Sequence, residues 1–133
     1  FAMIAAAAIG TVSDLRAGTA SKLLSWSVAF DAAAPVALTD GETIAVDFAA
    51  GWNFSVTLSG NRAFGNPSNV KRQSGWFKVT ASGGARTINK AANMKSANIT
   101  WPVAIASGQS AYFPYFVDDA SNVIITGVLN NPT

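Results

Sequence analysis

From residue 43 onward, apolar and polar residues alternate in short segments, and this period of two restricts the fold more than any other feature. In segment 53–59, for example, Phe54, Val56 and Leu58 share one face. Successive side chains of a β-strand point to opposite faces, so the pattern predicts strands with one apolar face. The segments that follow it, and are therefore predicted as strands, are 43–49, 53–59, 73–81, 85–88, 99–105, 110–118 and 123–129.

Turn-forming residues separate these segments, and together they predict an all-β chain folded as an antiparallel β-sandwich or jelly roll. Gly83 and Gly84 are predicted to form a hairpin turn, and 118–122 a polar turn. Segments 60–73 and 90–98 are predicted as long polar loops. Half of the residues are hydrophobic and only 12% are charged, which excludes disorder and a coiled coil.

Residues 1–35 differ from the rest because they are rich in alanine and do not alternate. A helical turn is predicted at 14–17 after a Ser13 cap, and a second helix at 21–34 that ends before Pro35. The apolar run 1–10 is shorter than the roughly 20 residues that cross a bilayer, so no membrane insertion is expected. The predicted organisation is a connector or oligomerisation segment over 1–35 and a β-sandwich domain over 36–133.

The chain has no histidine and no cysteine, which excludes a Ser-His-Asp triad, disulfides and cysteine zinc sites. Its acidic pairs, Asp40 with Glu42 and Asp118 with Asp119, lie in turn-forming segments where aspartate caps turns. The sequence therefore predicts no enzyme, no catalytic residues, no metal site and no cofactor.

Basic residues are concentrated in the middle of the chain, because seven occur between Phe48 and Val117 and no acidic residue does. This asymmetry predicts a face that binds an anion such as nucleic acid or an acidic polysaccharide. The favoured explanation is a subunit contact, in which the basic stretch meets acidic residues of a neighbour, or simply a solvated face. No nucleic-acid motif accompanies the charge, so no nucleic-acid partner is expected.

Trp76 alternates with Phe77 and Val79, so it is predicted to lie on the wet face of its strand, where a tryptophan indicates ligand stacking or oligomerisation. The alternative is that the faces are reversed and Trp76 is in the core. Loops often carry binding residues, so the basic residues of the predicted loops and of the predicted turn are candidates as well. The candidate ligand-binding residues are Arg62, Lys71, Arg72, Trp76, Arg86 and Lys90.

Several stretches resemble a known family in the same order along the chain. SVTLSGNRAFGNPSN (55–69), QSGWFKVTASGGARTI (73–88) and the later stretches 112–117 and 119–125 resemble the small C-terminal β-domains of bacteriophage tail-fibre and tail-spike proteins. SDLRAGTASKLL (13–24) resembles an element of tail-fibre connectors. The chain departs from the family after Leu24, where Ser-Trp-Ser replaces the usual Thr-Pro.

The resemblance implies a structural component of a virion, or of a gene-transfer-agent-like particle with similar head or tail spikes. Such proteins usually form homotrimers, contact other virion proteins and display β-domains to the host surface, including its polysaccharides. Receptor contacts in the family follow no fixed motif, so no binding residue transfers. The alternatives are a monomeric carbohydrate-binding module and a capsid decoration protein.

Overall fold

The computed structural model describes residues 8–17, 22–23 and 26–130, and within these ranges the chain is mostly β-structure, as the alternation predicts. Helix α1 (Val12–Ala17) and helix α2 (Trp26–Ala33) precede most of the strands. Strand β1 (Ala8–Ile9), which precedes α1, forms a short parallel pair with β2 (Lys22–Leu23), which lies between the two helices.

The remaining strands form a large sheet and a small sheet. The strands of the large sheet, in spatial order, are β3 (Pro35–Ala37), β5 (Asn53–Leu58), β7 (Ser74–Ala81), β11 (Ser110–Val117), β12 (Val123–Ile125) and β9 (Met94–Ser96), with β13 (Leu129–Asn130) also paired to β11. Those of the small sheet are β10 (Val103–Ile105), β8 (Arg86–Asn89), β6 (Arg62–Phe64) and β4 (Thr43–Ile44).

From β3 to β11, consecutive strands alternate between the two sheets. The chain leaves one sheet, forms a strand in the other sheet and then returns, so two successive strands of the same sheet run in the same direction. Strands β3, β5 and β7 therefore pair in parallel, as do β4, β6 and β8. Both sheets are therefore mixed, and the expectation of a purely antiparallel arrangement is wrong. Antiparallel pairing joins β11 to β7, β12 and β13, and β10 to β8.

Buried side chains from both sheets belong to one hydrophobic cluster. Its centre is aromatic: the Phe77 ring lies 5.5 Å from that of Phe54, 5.0 Å from that of Phe64 and 4.9 Å from that of Tyr115. The predicted inward faces are confirmed at β5, where Phe54, Val56 and Leu58 are buried, and at β7, where Phe77 and Val79 are buried.

Several predicted element bounds need correction. Segment 99–105 is a strand only at Val103–Ile105, and 123–129 divides into β12 and β13. Segment 43–49 is a strand only at Thr43–Ile44, although the predicted inward side chains of Ile44, Val46 and Phe48 are all buried. The predicted loops 60–73 and 90–98 each contain a strand, β6 and β9, because three residues are enough to continue a sheet. The turn at Gly83 and Gly84 joins strands of different sheets and is therefore not a hairpin. Both glycines have positive φ, which favours glycine there.

The described part of the N-terminal segment contains both predicted helices, but their first residues differ from the prediction. Helix α1 begins at Val12 and not at residue 14, and helix α2 begins at Trp26 and not at residue 21. Thr11, not Ser13, caps α1: its Oγ1 accepts a hydrogen bond from the Asp14 backbone N–H, and the Asp14 carboxylate accepts one from the Thr11 N–H. Helix α2 ends at Ala33, before Pro35 as predicted. Its carbonyl at Ala33 accepts a 2.6 Å hydrogen bond from Asn53 Nδ2, which ties the helix to β5. The boundary at residue 35 stays a prediction.

Candidate binding surface on the large sheet

The predicted ligand-binding residues do not form one cluster, and Arg62 is engaged within the fold. Its Nε lies 2.8 Å from Asp40 Oδ1, and its Nη2 donates to Asp40 Oδ2 at 3.2 Å. Ser59 Oγ also donates to Asp40 Oδ2. These hydrogen bonds, from Arg62 first and Ser59 second, hold the pKa of the Asp40 carboxyl well below its usual range. Arg62 therefore joins the segment before β4 to the start of β6.

Lys71 and Arg72 contact other parts of the chain from the β6–β7 connection. Lys71 Nζ donates to the Ala17 carbonyl at 3.0 Å, where a cation satisfies an unpaired carbonyl at the end of α1. Arg72 Nη2 lies 2.7 Å from Asp119 Oδ1 in a pair whose side chains are both more than four-fifths exposed. Water screens such a pair strongly, which leaves the Arg72 guanidinium available to exchange partners.

Arg86 and Lys90 flank β8 in the small sheet. The Arg86 guanidinium folds back on the preceding turn, where Nε donates to the Ser82 carbonyl at 3.0 Å and Nη2 to the Gly83 carbonyl at 3.1 Å. It therefore closes the sharp connection between β7 and β8. Lys90 is half-buried, directly follows the end of β8 and is not part of a strand of the large sheet.

Trp76 lies on the outward side of β7, as predicted, and its neighbours Gly75 and Phe77 point the other way. Its ring centroid is 5.7 Å from that of Tyr112, with 59° between the ring planes. Tyr112 is the cross-strand partner of Lys78, and Lys78 Nζ lies 5.8 Å from the centre of the Tyr112 ring. That distance is within the range of a cation–π contact. The structure thus unites Trp76 with two residues, Tyr112 and Lys78, that were not among the candidates.

This group belongs to a larger surface, here called the outer face, formed by the outward side chains of the large sheet. Its members are Pro35, Ala37, Asn53, Ser55, Thr57, Ser74, Trp76, Lys78, Thr80, Lys95, Ser110, Tyr112, Pro114, Phe116, Ile124 and Leu129. Among these described side chains there are two lysines and no carboxylate. Phe116 is 44% exposed and Leu129 56% exposed, so the apolar surface continues outward from the Trp76–Tyr112 pair.

Hydrogen bonds hold the outer face in place. The Trp76 backbone N–H donates to Asn53 Oδ1 at 3.2 Å, which links β7 to β5 beside the tryptophan. Thr80 and Ser110 share a 2.8 Å hydroxyl–hydroxyl hydrogen bond across β7 and β11. A Cβ atom on Gly75 would lie 2.1 Å from the Trp52 carbonyl oxygen, so only glycine permits this close approach of β7 to the residue preceding β5.

A cleft of about 280 Å³ opens at one end of β7, lined by Trp52, Arg72, Gln73 and Ser74. Gln73 Nε2 donates to the Tyr115 hydroxyl at 2.6 Å, and that hydroxyl donates to the Trp52 carbonyl. Ser74 is paired with Phe116, so the cleft adjoins the Phe116 end of the outer face.

One carboxylate of each predicted acidic pair, Asp40 or Asp118, accepts hydrogen bonds within the fold. Asp118 accepts hydrogen bonds from the backbone N–H groups of Ala120 and Asn122 and from Asn122 Nδ2, and these lower its pKa. Within the described residues, no group of three or more potential metal ligands of the histidine, cysteine, aspartate or glutamate type is found. In the same residues, no helix is long and apolar enough to span a bilayer.

Comparison with protein-family models, with curated proteins and with solved structures finds no match to this chain. The geometry of the outer face therefore has to carry the functional argument. Besides five aliphatic side chains, the outer face presents aromatic rings, hydroxyls, an amide and ammonium groups, which are suited to binding.

Proposed function

We propose that the chain is a structural and adhesive part of a virion, a fibre or spike domain of a phage or phage-like particle that contacts the host surface. The resemblance of 55–69 and 73–88 to tail-fibre β-domains suggests this class. The observation that carries the proposal is the outer face, where Trp76 and Tyr112 form an aromatic pair on an outward sheet surface free of carboxylates among its described members. Such a surface is suited to attachment.

We also infer that the two sheets pack face to face as a β-sandwich. Phe64 of the small sheet lies 5.0 Å from Phe77 of the large sheet, ring centre to ring centre. The inward side chains of both sheets belong to the same cluster, which is the arrangement that a two-layer architecture requires. A compact core of this kind suits a part whose task is durability.

The electrostatics of the acidic residues favour a non-enzymatic role. A carboxyl that acts as a general acid needs a raised pKa, whereas hydrogen bonds lower the pKa of both Asp40 and Asp118. Each carboxylate receives its hydrogen bonds from neighbouring parts of the same chain. Asp40 joins two segments of the fold and Asp118 closes its own turn, and these structural roles are sufficient to explain their positions.

We propose that three copies associate through residues 1–35, with the β-domains carried outward. Helix α2 supports this arrangement because its Phe30 side chain is 71% exposed. An aromatic side chain this exposed is stabilised when a neighbouring subunit covers it.

Native mass spectrometry of the intact chain at micromolar concentration tests the assembly, and we expect a homotrimer. Phe30→Glu places a charge in the proposed contact and is expected to shift the mass towards the monomer while the circular dichroism spectrum is unchanged. Ser107→Glu, at an exposed turn between β10 and β11, is the matched control and is expected to stay trimeric. A monomer formed by the unaltered chain contradicts the proposed trimer.

A second candidate function is a monomeric carbohydrate-binding module, which the Trp76–Tyr112 pair also favours. The two functions differ in mass and in cell attachment. A virion fibre domain is expected to be oligomeric and to bind the surface of whole host cells, whereas a free module is expected to be monomeric and to bind isolated glycan. Measuring both properties on one preparation separates them.

A further inference from the structure

We infer that the outer face binds an acidic polysaccharide, with Trp76 and Tyr112 as the stacking platform and Lys78 as the cation that selects the negative charge. The inference rests on the proposed function, because it names the class of host molecule to which the domain attaches. It depends on the juxtaposition of these three side chains.

The aromatic part of the argument concerns the faces of sugar rings. A pyranose presents a patch of C–H groups, and the negative face of an aromatic ring attracts their partial positive charge. Trp76 and Tyr112 stand 59° apart, so they offer two inclined surfaces to consecutive sugars of a twisted chain. The Trp76 backbone is held by Asn53, and Gly75 is packed against the Trp52 carbonyl. Little ordering is therefore required on binding.

The charge of the outer face indicates an acidic ligand. Lys78 and Lys95 are its charged members, and its described side chains include no carboxylate. Lys78 Nζ lies over the Tyr112 ring and so borders the Trp76 ring, where the carboxylate or sulfate of a sugar stacked on Trp76 would reach it. The pairing of an ammonium with an anionic oxygen forms charge-assisted hydrogen bonds. A neutral glycan can stack on the aromatic rings but forms no charge-assisted hydrogen bond with Lys78.

The length of the face indicates a polymer. Tyr112 and Phe116 are four residues apart on β11 and point the same way, which separates them by about 14 Å in an extended strand. At the Phe116 end, the adjoining cleft is lined by Trp52 and Arg72, which adds a further aromatic residue and a further cation. A polysaccharide segment can follow this line, whereas a monosaccharide occupies only one part of it.

The polar surroundings distinguish this face from a contact between copies. Subunit-interface cores are depleted in lysine, whereas Lys78 lies next to the centre of the platform. Ser55 and Tyr112 flank Lys78 in cross-strand register, and the Thr80–Ser110 hydroxyl pair follows. Hydroxyl groups at this spacing suit the many hydroxyls of a sugar chain.

Affinity electrophoresis of the intact chain in gels that contain polygalacturonate tests the inference. Highly methyl-esterified polygalacturonate is the matched neutral probe, since it keeps the sugar backbone and removes the charge. We expect polygalacturonate to retard the chain much more strongly. Trp76→Ala is expected to weaken the binding by about tenfold or more, and Lys78→Gln to remove the preference for the acidic polymer. Lys90→Gln, which removes a cation outside this face, is the control and is expected to bind like the unaltered chain.

The inference is overturned if Trp76→Ala binds polygalacturonate as well as the unaltered chain does. It is also overturned if the two polymers retard the unaltered chain equally, or if neither polymer retards it. If Trp76→Ala or Lys78→Gln changes the native mass and leaves polygalacturonate binding intact, the outer face is a contact between copies and the inference is wrong. The melting temperature of each variant shows that it is folded. If polygalacturonate does not bind, the inference fails, but the proposed function is still tested separately by the native mass of the chain.

Discussion

The Arg62 guanidinium contacts both oxygens of the Asp40 carboxylate although 22 positions separate the two residues in the chain. Both side chains are about one-fifth exposed, so water screens the pair less than it screens Arg72 and Asp119. The pair fixes the segment that follows β3 against the first residue of β6. This makes Arg62 a residue whose loss affects stability before it affects binding.

Replacement of Arg62 by glutamine is expected to lower the melting temperature by several degrees, because Asp40 loses its charged partner and two hydrogen bonds. Binding to polygalacturonate is expected to be unchanged. Arg72→Gln removes the exposed pair and is the control, with an expected shift within about one degree. Thermal melts and affinity gels of both variants check this, and the reverse order of stability effects contradicts it.

Acid is expected to destabilise the fold through Asp40. Its native pKa is lowered, so its contribution to stability is fully present above the ordinary aspartate pKa of about 3.9 and is lost as the pH falls through the native value. Asp47 and Asp118 act in the same direction. Asp40→Asn is expected to be less stable than the unaltered chain at pH 7 and to show a shallower loss below about pH 4. Denaturant unfolding across this pH range measures both effects; parallel pH profiles would falsify the assignment.

Gly75→Ala is expected to lower the free energy of unfolding by about 1–3 kcal/mol, because the new methyl group meets the Trp52 carbonyl oxygen and β7 has to move. Gly127→Ala is a matched control, since a Cβ there has no heavy atom within 4 Å. Urea unfolding of the two variants makes the comparison. Equal stabilities for both indicate that β5 and β7 can separate without loss.

Chelation of metal ions is expected to leave the melting temperature unchanged, since the core consists of apolar side chains and Asp118 is hydrogen-bonded within its own turn. Thermal melts with and without EDTA measure this. A marked fall on adding EDTA, reversed by calcium, shows that the 118–122 turn holds a cation.

The inward faces of the longer strands could be predicted because alternation is a local property. It correctly assigned Phe54 and Val79 to the core and Trp76 to the outside. Strand direction could not be predicted, since an alternating segment looks the same in a parallel and in an antiparallel sheet. The strands β6 and β9 could not be predicted because each lies in a polar stretch and shows no alternation. Each contributes one large buried side chain to the core, Phe64 from β6 and Met94 from β9.

The platform was predictable in part. Alternation with Phe113 and Tyr115 already implied an outward Tyr112, but nothing local shows that β11 pairs with β7 and brings Tyr112 to Lys78. The partners of the basic residues were also beyond local patterns. Arg62 meets Asp40 and Lys71 meets the Ala17 carbonyl across the fold, which uses two of the predicted ligand-binding cations within the chain itself.

The alternation of β3 to β11 between the sheets has a mechanical consequence. A hairpin sheet can be unzipped one strand at a time from a free end, and each step exposes little of the core. Here consecutive strands from β3 to β11 lie in opposite sheets, so unravelling along the chain has to remove strands from both layers in turn. In the proposed role of an adhesive virion domain, this arrangement favours keeping the outer face folded while the attached cell pulls on it.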